Sequence, residues 1–95
     1  NKDESWVRRY DGAICAPVDA AIVTTHMMLE AHNIGVGSCW VMHFNPQLIK
    51  EEFNIPQNIE PVALLVMGYP SPDATPYPQH SAFKSAENLI FYDKF

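Results

Sequence analysis

Asn54-Ile55-Pro56-Gln57-Asn58-Ile59-Glu60-Pro61-Val62-Ala63-Leu64-Leu65-Val66-Met67-Gly68-Tyr69-Pro70 is the stretch on which the fold turns. From Pro61 to Met67 every residue is apolar, with no alternation of apolar and polar positions. A strand with one wet face alternates; an unbroken apolar run fits a central strand covered on both faces. Gly68-Tyr69-Pro70 closes the run, since proline cannot donate to a ladder. The strand therefore asks for helices on two sides.

Upstream, Pro17 suits the first turn of a helix, where its missing N–H has no intrahelical use. From Val18 to Asn33 the apolar positions Val18, Ile22 and Leu29 recur at helical spacing, with Ala21, Met28 and Ala31 beside them. Asp19 falls in the first turn, where its charge complements the helix dipole. Gly35 is free to take the left-handed conformation that ends such a helix. Gly35-Val36-Gly37-Ser38 then leads into Cys39-Trp40-Val41-Met42, a short apolar stretch of strand character. Asn45-Pro46 reads as a helix cap and first-turn proline. The second helix reaches about Phe53, with Leu48, Ile49 and Phe53 inward and Lys50, Glu51 and Glu52 toward water. Pro56 prevents its continuation.

Residues 1–16 form an irregular lead-in with a turn at Asp11-Gly12, and residues 17–69 a helix-strand-helix-strand core. Residues 70–88 make a proline-rich arm. Pro70, Pro72, Pro76 and Pro78 exclude regular helix or a central strand from its first half. Extended at about 3.1 Å per residue, that half spans on the order of 30 Å, enough to reach another subunit. Residues 89–95 are expected to be a terminal strand, since Leu89-Ile90-Phe91-Tyr92 has β character and needs a partner sheet. One helix pair cannot cover both faces of the Pro61–Met67 strand. The missing neighbours are expected from further N-terminal sequence or from a second chain. The opening Asn1-Lys2-Asp3-Glu4-Ser5, without a Met and running into Trp6-Val7-Arg8-Arg9-Tyr10, likewise reads as the interior of a longer protein.

Composition narrows the function classes. At 47% hydrophobic and 18% charged over 95 residues, the chain resembles one small globular domain rather than a disordered segment. The net charge is −5, and the basic residues Lys2, Arg8, Arg9, Lys50, Lys84 and Lys94 are scattered. No basic stripe is present to neutralise a phosphate backbone, which argues against nucleic acid as a partner. No apolar run approaches the roughly 18–20 residues that cross a bilayer, which argues against a membrane span. Cys15 and Cys39 make no disulfide framework and read as buried, reduced thiols of a cytoplasmic protein.

Taken in order, the segments DAAIVTTHMML (Asp19–Leu29), EAHNIGVGSCWVMHF (Glu30–Phe44) and NIPQNIEPVALLVMGYP (Asn54–Pro70) resemble the C-terminal part of the nitroreductase family of FMN-dependent oxidoreductases. The opening SWVRRYDG and closing NLIFYDKF fit the ends of that region. The collinear set, covering more than half of the chain, carries the resemblance rather than any one motif. It implies an α+β fold, a mixed sheet flanked by helices, in an intertwined homodimer with FMN at the subunit interface. It also implies two-electron hydride transfer from NAD(P)H through the flavin to a small-molecule acceptor such as a nitro compound or quinone. The flavin then does the chemistry and the protein supplies position, so no catalytic side-chain dyad or triad is expected.

The resemblance places Trp40, Val41, Met42 and His43 where the family passes backbone against the flavin ring, with N–H groups facing its N5 region. The family's basic residue on the arm, which pairs with the FMN phosphate, falls by count on Phe83, so Lys84 becomes the candidate contact. A lysine is a point charge without arginine's bidentate fork. The family's arginine- and serine-rich N-terminal phosphate motif is absent from these residues, so one copy is expected to form only part of an FMN site.

Plainer readings stand beside these. Met27, Met28 and Leu29 read as core filler rather than a cofactor-facing stripe. His26 and His32, six apart on a helix, face different directions, and with His43 and His80 they match no metal-ligand spacing. Cys39 lacks the basic neighbour or helix N-terminus that would activate a thiol. Arg8-Arg9 reads as surface charge. Two other functions remain in view: a flavin-dependent dehalogenase-type relative on the same fold, and a non-catalytic dimerisation module that adds its terminal strand to a partner's sheet.

Overall fold

The computed structural model describes residues 1–94; Phe95, the last residue of the expected terminal strand, lies outside the described residues. The elements are α1 (Ala16–Asn33), β1 (Gly37–Val41), α2 (Pro46–Glu52) and β2 (Leu64–Gly68), followed by two short 3₁₀ turns at Pro78–Ser81 and Ala86–Asn88. β1 and β2 pair antiparallel, with Gly37 opposite Gly68, Cys39 opposite Val66 and Val41 opposite Leu64. The lead-in is irregular apart from a single bridge between Val7 and Ile14 around the Asp11-Gly12 turn.

α1 starts at Ala16, with Pro17 in its first turn as expected and Asp19 beside it. Its end follows from Gly35, whose φ of 79° lies in the left-handed region. There the Gly35 N–H donates to His32 O at 3.1 Å and the Val36 N–H to Ala31 O at 2.7 Å. Those two bonds satisfy carbonyls that the last turn would otherwise leave open, and they reverse the chain into β1.

The inward face of α1 matches the expected apolar positions only in part, since Ala21, Met28 and Ala31 are half-buried or buried. Ala20, Thr24, Met28 and Ala31 are half-buried or buried, whereas Val18, Ile22 and Leu29 are exposed. At about 100° per residue the two sets lie on opposite sides of the helix. α1 is thus apolar on both sides, and only one side meets the β1–β2 sheet. A cleft lined by Met27, Ala31, Ile34, Val36 and Met67 marks that contact.

α2 is closed at both ends as its sequence requires. The Asn45 side chain caps the start. Asn54, at φ 52°, ends it in the left-handed region, with the Ile55 N–H donating to Lys50 O at 2.9 Å. Lys50 does not face water as expected. It is 7% exposed, and its ammonium donates to Glu60 Oε2 at 3.0 Å and Gln57 O at 3.4 Å. The helix's last turn places Lys50 over the 53–60 loop, whose carboxylate and carbonyl replace its water.

Three further expectations are corrected. Cys39 is exposed and Cys15 only half-buried, both as free thiols. β2 begins at Leu64 rather than Pro61, and its neighbour is β1 alone, leaving Val66 exposed. Residues 89–94 form no strand: the chain passes from the 3₁₀ turn at Ala86–Asn88 into irregular structure. A strand is a property of a pair, and no sheet edge lies against this segment. The arm stands away from the body, every residue from Tyr69 to Lys94 being exposed.

Candidate functional site

The segment Trp40–His43 runs off the end of β1. Trp40 and Val41 belong to the strand, half-buried, while Met42 and His43 lie beyond it and are exposed. Successive strand side chains point to opposite faces. Trp40 shares the α1-facing side with Ser38, Leu65 and Met67. Val41 shares the open side with Cys39, Leu64 and Val66. Trp40 and Val41 therefore cannot both lay their side chains on one flat ligand. What the segment presents jointly is its backbone.

That backbone carries unused donors. The last ladder pair is Val41 with Leu64. Beyond it the Met42 carbonyl accepts from the Phe44 N–H at 3.1 Å. Among the described residues, the N–H groups of Met42 and His43 donate to no protein acceptor. Two adjacent free donors on an exposed link, flanked by an indole and an aliphatic side chain, suit a planar heteroaromatic with acceptors on its edge.

The link is held from both ends. β1 holds it through the ladder, and α2 through Asn45, whose Oδ1 accepts from the Gln47 N–H at 2.9 Å and the Leu48 N–H at 3.4 Å. Downstream, Lys50 joins α2 to the 53–60 loop that feeds β2, and Lys2 reaches the same Glu60 carboxylate at 3.8 Å. The Lys50 hydrogen bond, then its charge, hold the Glu60 carboxyl below its ordinary value. Arg8 does the same for Asp11, whose carboxylate also accepts from the Ala13 N–H.

Those pairings decide which cations remain for an anionic ligand. Lys2, Arg8 and Lys50 are engaged by Glu60 and Asp11. Among the described residues, Arg9, Lys84 and Lys94 have no ion-pair partner. Lys84 is exposed, between the two 3₁₀ turns of the arm, and no bond joins it to the Trp40–His43 link. The structure brings Trp40, Val41, Met42 and His43 together and leaves Lys84 apart from them. For the FMN implied by the sequence, the residues fit one wall of a site, the ring edge, without a phosphate cradle.

No described concavity is lined by the link. One cleft of about 340 Å³ lies between the lead-in and the start of α1, against Ile14, Pro17, Ala20 and Val62. A shallower one lies at the Gly37–Gly68 end of the sheet, bordered by Ser38, Cys39, Val66, Met67, Tyr69 and Pro70. Among the described residues, no helix is long and apolar enough to cross a membrane.

The model of the nitroreductase family matches residues 2–69. Among solved structures, a nitroreductase family protein from Clostridium difficile 630 superposes with a TM-score of 0.88 at 38% identity. The match covers all of this chain and 56% of that one, so the chain spans just over half the length of the structure it resembles. No functionally curated protein matches significantly.

Proposed function

The chain belongs to the nitroreductase family, and we propose that it forms the C-terminal part of the subunit of an FMN-dependent oxidoreductase. The observation that carries this reading is the Trp40–His43 link, inside the family match, with its two adjacent free N–H donors. These donors would meet the polar edge of the isoalloxazine ring, with the strand residues Trp40 and Val41 contributing backbone on that side rather than two stacked side chains. Lys84, without an acidic partner among the described residues and carried on the arm, would approach the FMN phosphate. When bound, FMN carries two electrons as hydride from NAD(P)H to a small acceptor such as a nitro compound or quinone.

Further polypeptide, either the N-terminal part of the subunit or a second copy in a homodimer, would supply the rest of the site. Support for that comes from the open sides of α1 and the sheet and from the 56% share of the matched chain. The arm's exposed Tyr77, Phe83, Leu89 and Ile90 would dock on the partner subunit.

Flavin fluorescence quenching tests the reading, on residues 1–95 alone and on the chain extended upstream to full length. Binding by the extended form, followed by NAD(P)H-dependent bleaching of the flavin band, is the expected result. Failure of the extended form to bind FMN overturns the flavoenzyme reading and favours an assembly module on the same fold.

A further inference from the structure

We infer that Asn45 is a positioning residue for the ring edge of the cofactor site, acting through the Met42–His43 backbone without touching the ligand; this rests on the flavin reading above. Between the last ladder pair at Val41 and the first helical residue, Pro46, the chain has four residues in which to leave the sheet and enter α2. Free N–H groups are useful to a ligand only if the backbone that carries them holds one conformation. Otherwise binding must first order it.

Three contacts fix that conformation. The Met42 carbonyl is taken by the Phe44 N–H at 3.1 Å, which bends the link and leaves its neighbouring N–H groups unengaged. Phe44 is half-buried, so the bend is anchored against the body. Asn45 sits in extended conformation (φ −93°, ψ 109°), and its side chain accepts from Gln47 and Leu48 while its own carbonyl accepts from the Ile49 N–H at 3.2 Å. Pro46 restricts Asn45 to that extended region as well. Side chain, carbonyl and φ/ψ of one residue thus agree on a single exit angle from the link into the helix.

The cap's donors are used inside the chain. The ligand's donors, Met42 and His43 N–H, lie upstream of it. Because α2 is only seven residues long, it has little helical stability of its own to fix the angle if the cap is lost. Loss of the Asn45 oxygen therefore loosens the link rather than merely shortening the helix.

The test uses the full-length protein with FMN as the probe, and compares wild type with Asn45→Ala, Asn45→Gly and Asn45→Ser. Serine keeps a capping oxygen, while glycine lacks one at little cost to the helix, so at least one uncapped variant should fold. Asn45→Ala is expected to weaken FMN binding about fivefold, the equivalent of one lost cap, Asn45→Gly to weaken it by a smaller factor, and both to shift the midpoint potential of the bound flavin. Asn45→Ser is expected to restore both. A purely structural role would lower Tm and leave the potential unchanged. If wild type binds FMN and the uncapped variants match it in affinity and potential, the positioning role is overturned while the flavin reading stands. If wild type itself binds no FMN, the flavin reading falls first.

Discussion

Residues 1–95 on their own expose too much surface to behave as a finished domain. The accessible area is 8594 Å², whereas a globule of this mass exposes about 5,500 Å². The radius of gyration is 17.6 Å, against about 12 Å for a compact chain of this length. The excess of about 3,000 Å² is larger than one partner's share of most obligate interfaces. Its sources can be named: the Val18–Ile22–Leu29 side of α1, the Cys39–Val66 side of the sheet, and the arm. Cys39 offers a reporter on the open sheet face. The perturbation is to prepare residues 1–95 alone and the full-length protein in parallel, then follow thiol labelling of Cys39 and binding of a hydrophobic dye. Alone, the chain should bind dye, unfold without a sharp transition and label at Cys39 at the rate of a free thiol. In the full-length protein, labelling should slow by at least tenfold, since only rare opening (a cost of about 1.4 kcal/mol or more) exposes the sulfur. A monodisperse 95-residue monomer with a cooperative transition, and Cys39 labelling equally fast in both preparations, would refute the reasoning.

Two further outcomes follow from local geometry. At Gly35 a Cβ would meet no atom within 4 Å, so the cost of Gly35→Ala is conformational alone, set by φ 79°. About 1–2 kcal/mol is expected, read in the full-length protein as a Tm lowered by roughly 2–6 °C. Gly35→Asn should recover part of the loss, and an unchanged Tm for Gly35→Ala would count against the left-handed end of α1. Glu60 is one acid-sensitive point, because Lys50 holds its carboxyl below the ordinary value of 4.5. A depressed carboxylate contributes stability that is full above the unfolded value and is lost as pH falls through the folded one. The stability difference between wild type and Glu60→Gln in denaturant melts should therefore be constant above about pH 5 and shrink below 4.5. A difference that does not change with pH would dissolve the pairing.

What the sequence made legible divides along the range of the interactions. Gly35, Asn45-Pro46 and Pro56 were readable because each acts on its own backbone within a few residues, through φ, a capping oxygen or a missing N–H. The order of helices and strands followed from them. Lys50 was misread because its partner Glu60 lies ten residues on, across a loop whose path no local rule supplies. The inward face of α1 was legible only in part, for another reason. With Ala20, Met28 and Ala31 on one side and Val18, Ile22 and Leu29 on the other, periodicity detects a helix but cannot rank two apolar faces. Cys39 looked buried because its neighbours are apolar, yet both it and Val66, opposite it on the same face of the sheet, are exposed.

The candidate site sits at the limit of that division. The residue types at Trp40, Val41, Met42 and His43 say little about chemistry, and strand alternation separates the first two side chains onto opposite faces. What makes the segment useful is where the ladder stops. One more register pair beyond Val41–Leu64 would draw Met42 into the sheet, and a stop one pair earlier would leave Val41 outside it. Downstream of the stop, the Asn45 cap and Pro46 commit the chain to α2 within four residues of it. A site built from backbone donors tolerates side-chain replacement along the link but not a shift of those boundaries. On the proposed reading, substitutions at Met42 or His43 should consequently matter less to FMN affinity than substitutions at Asn45, which that reading keeps out of contact with the ring.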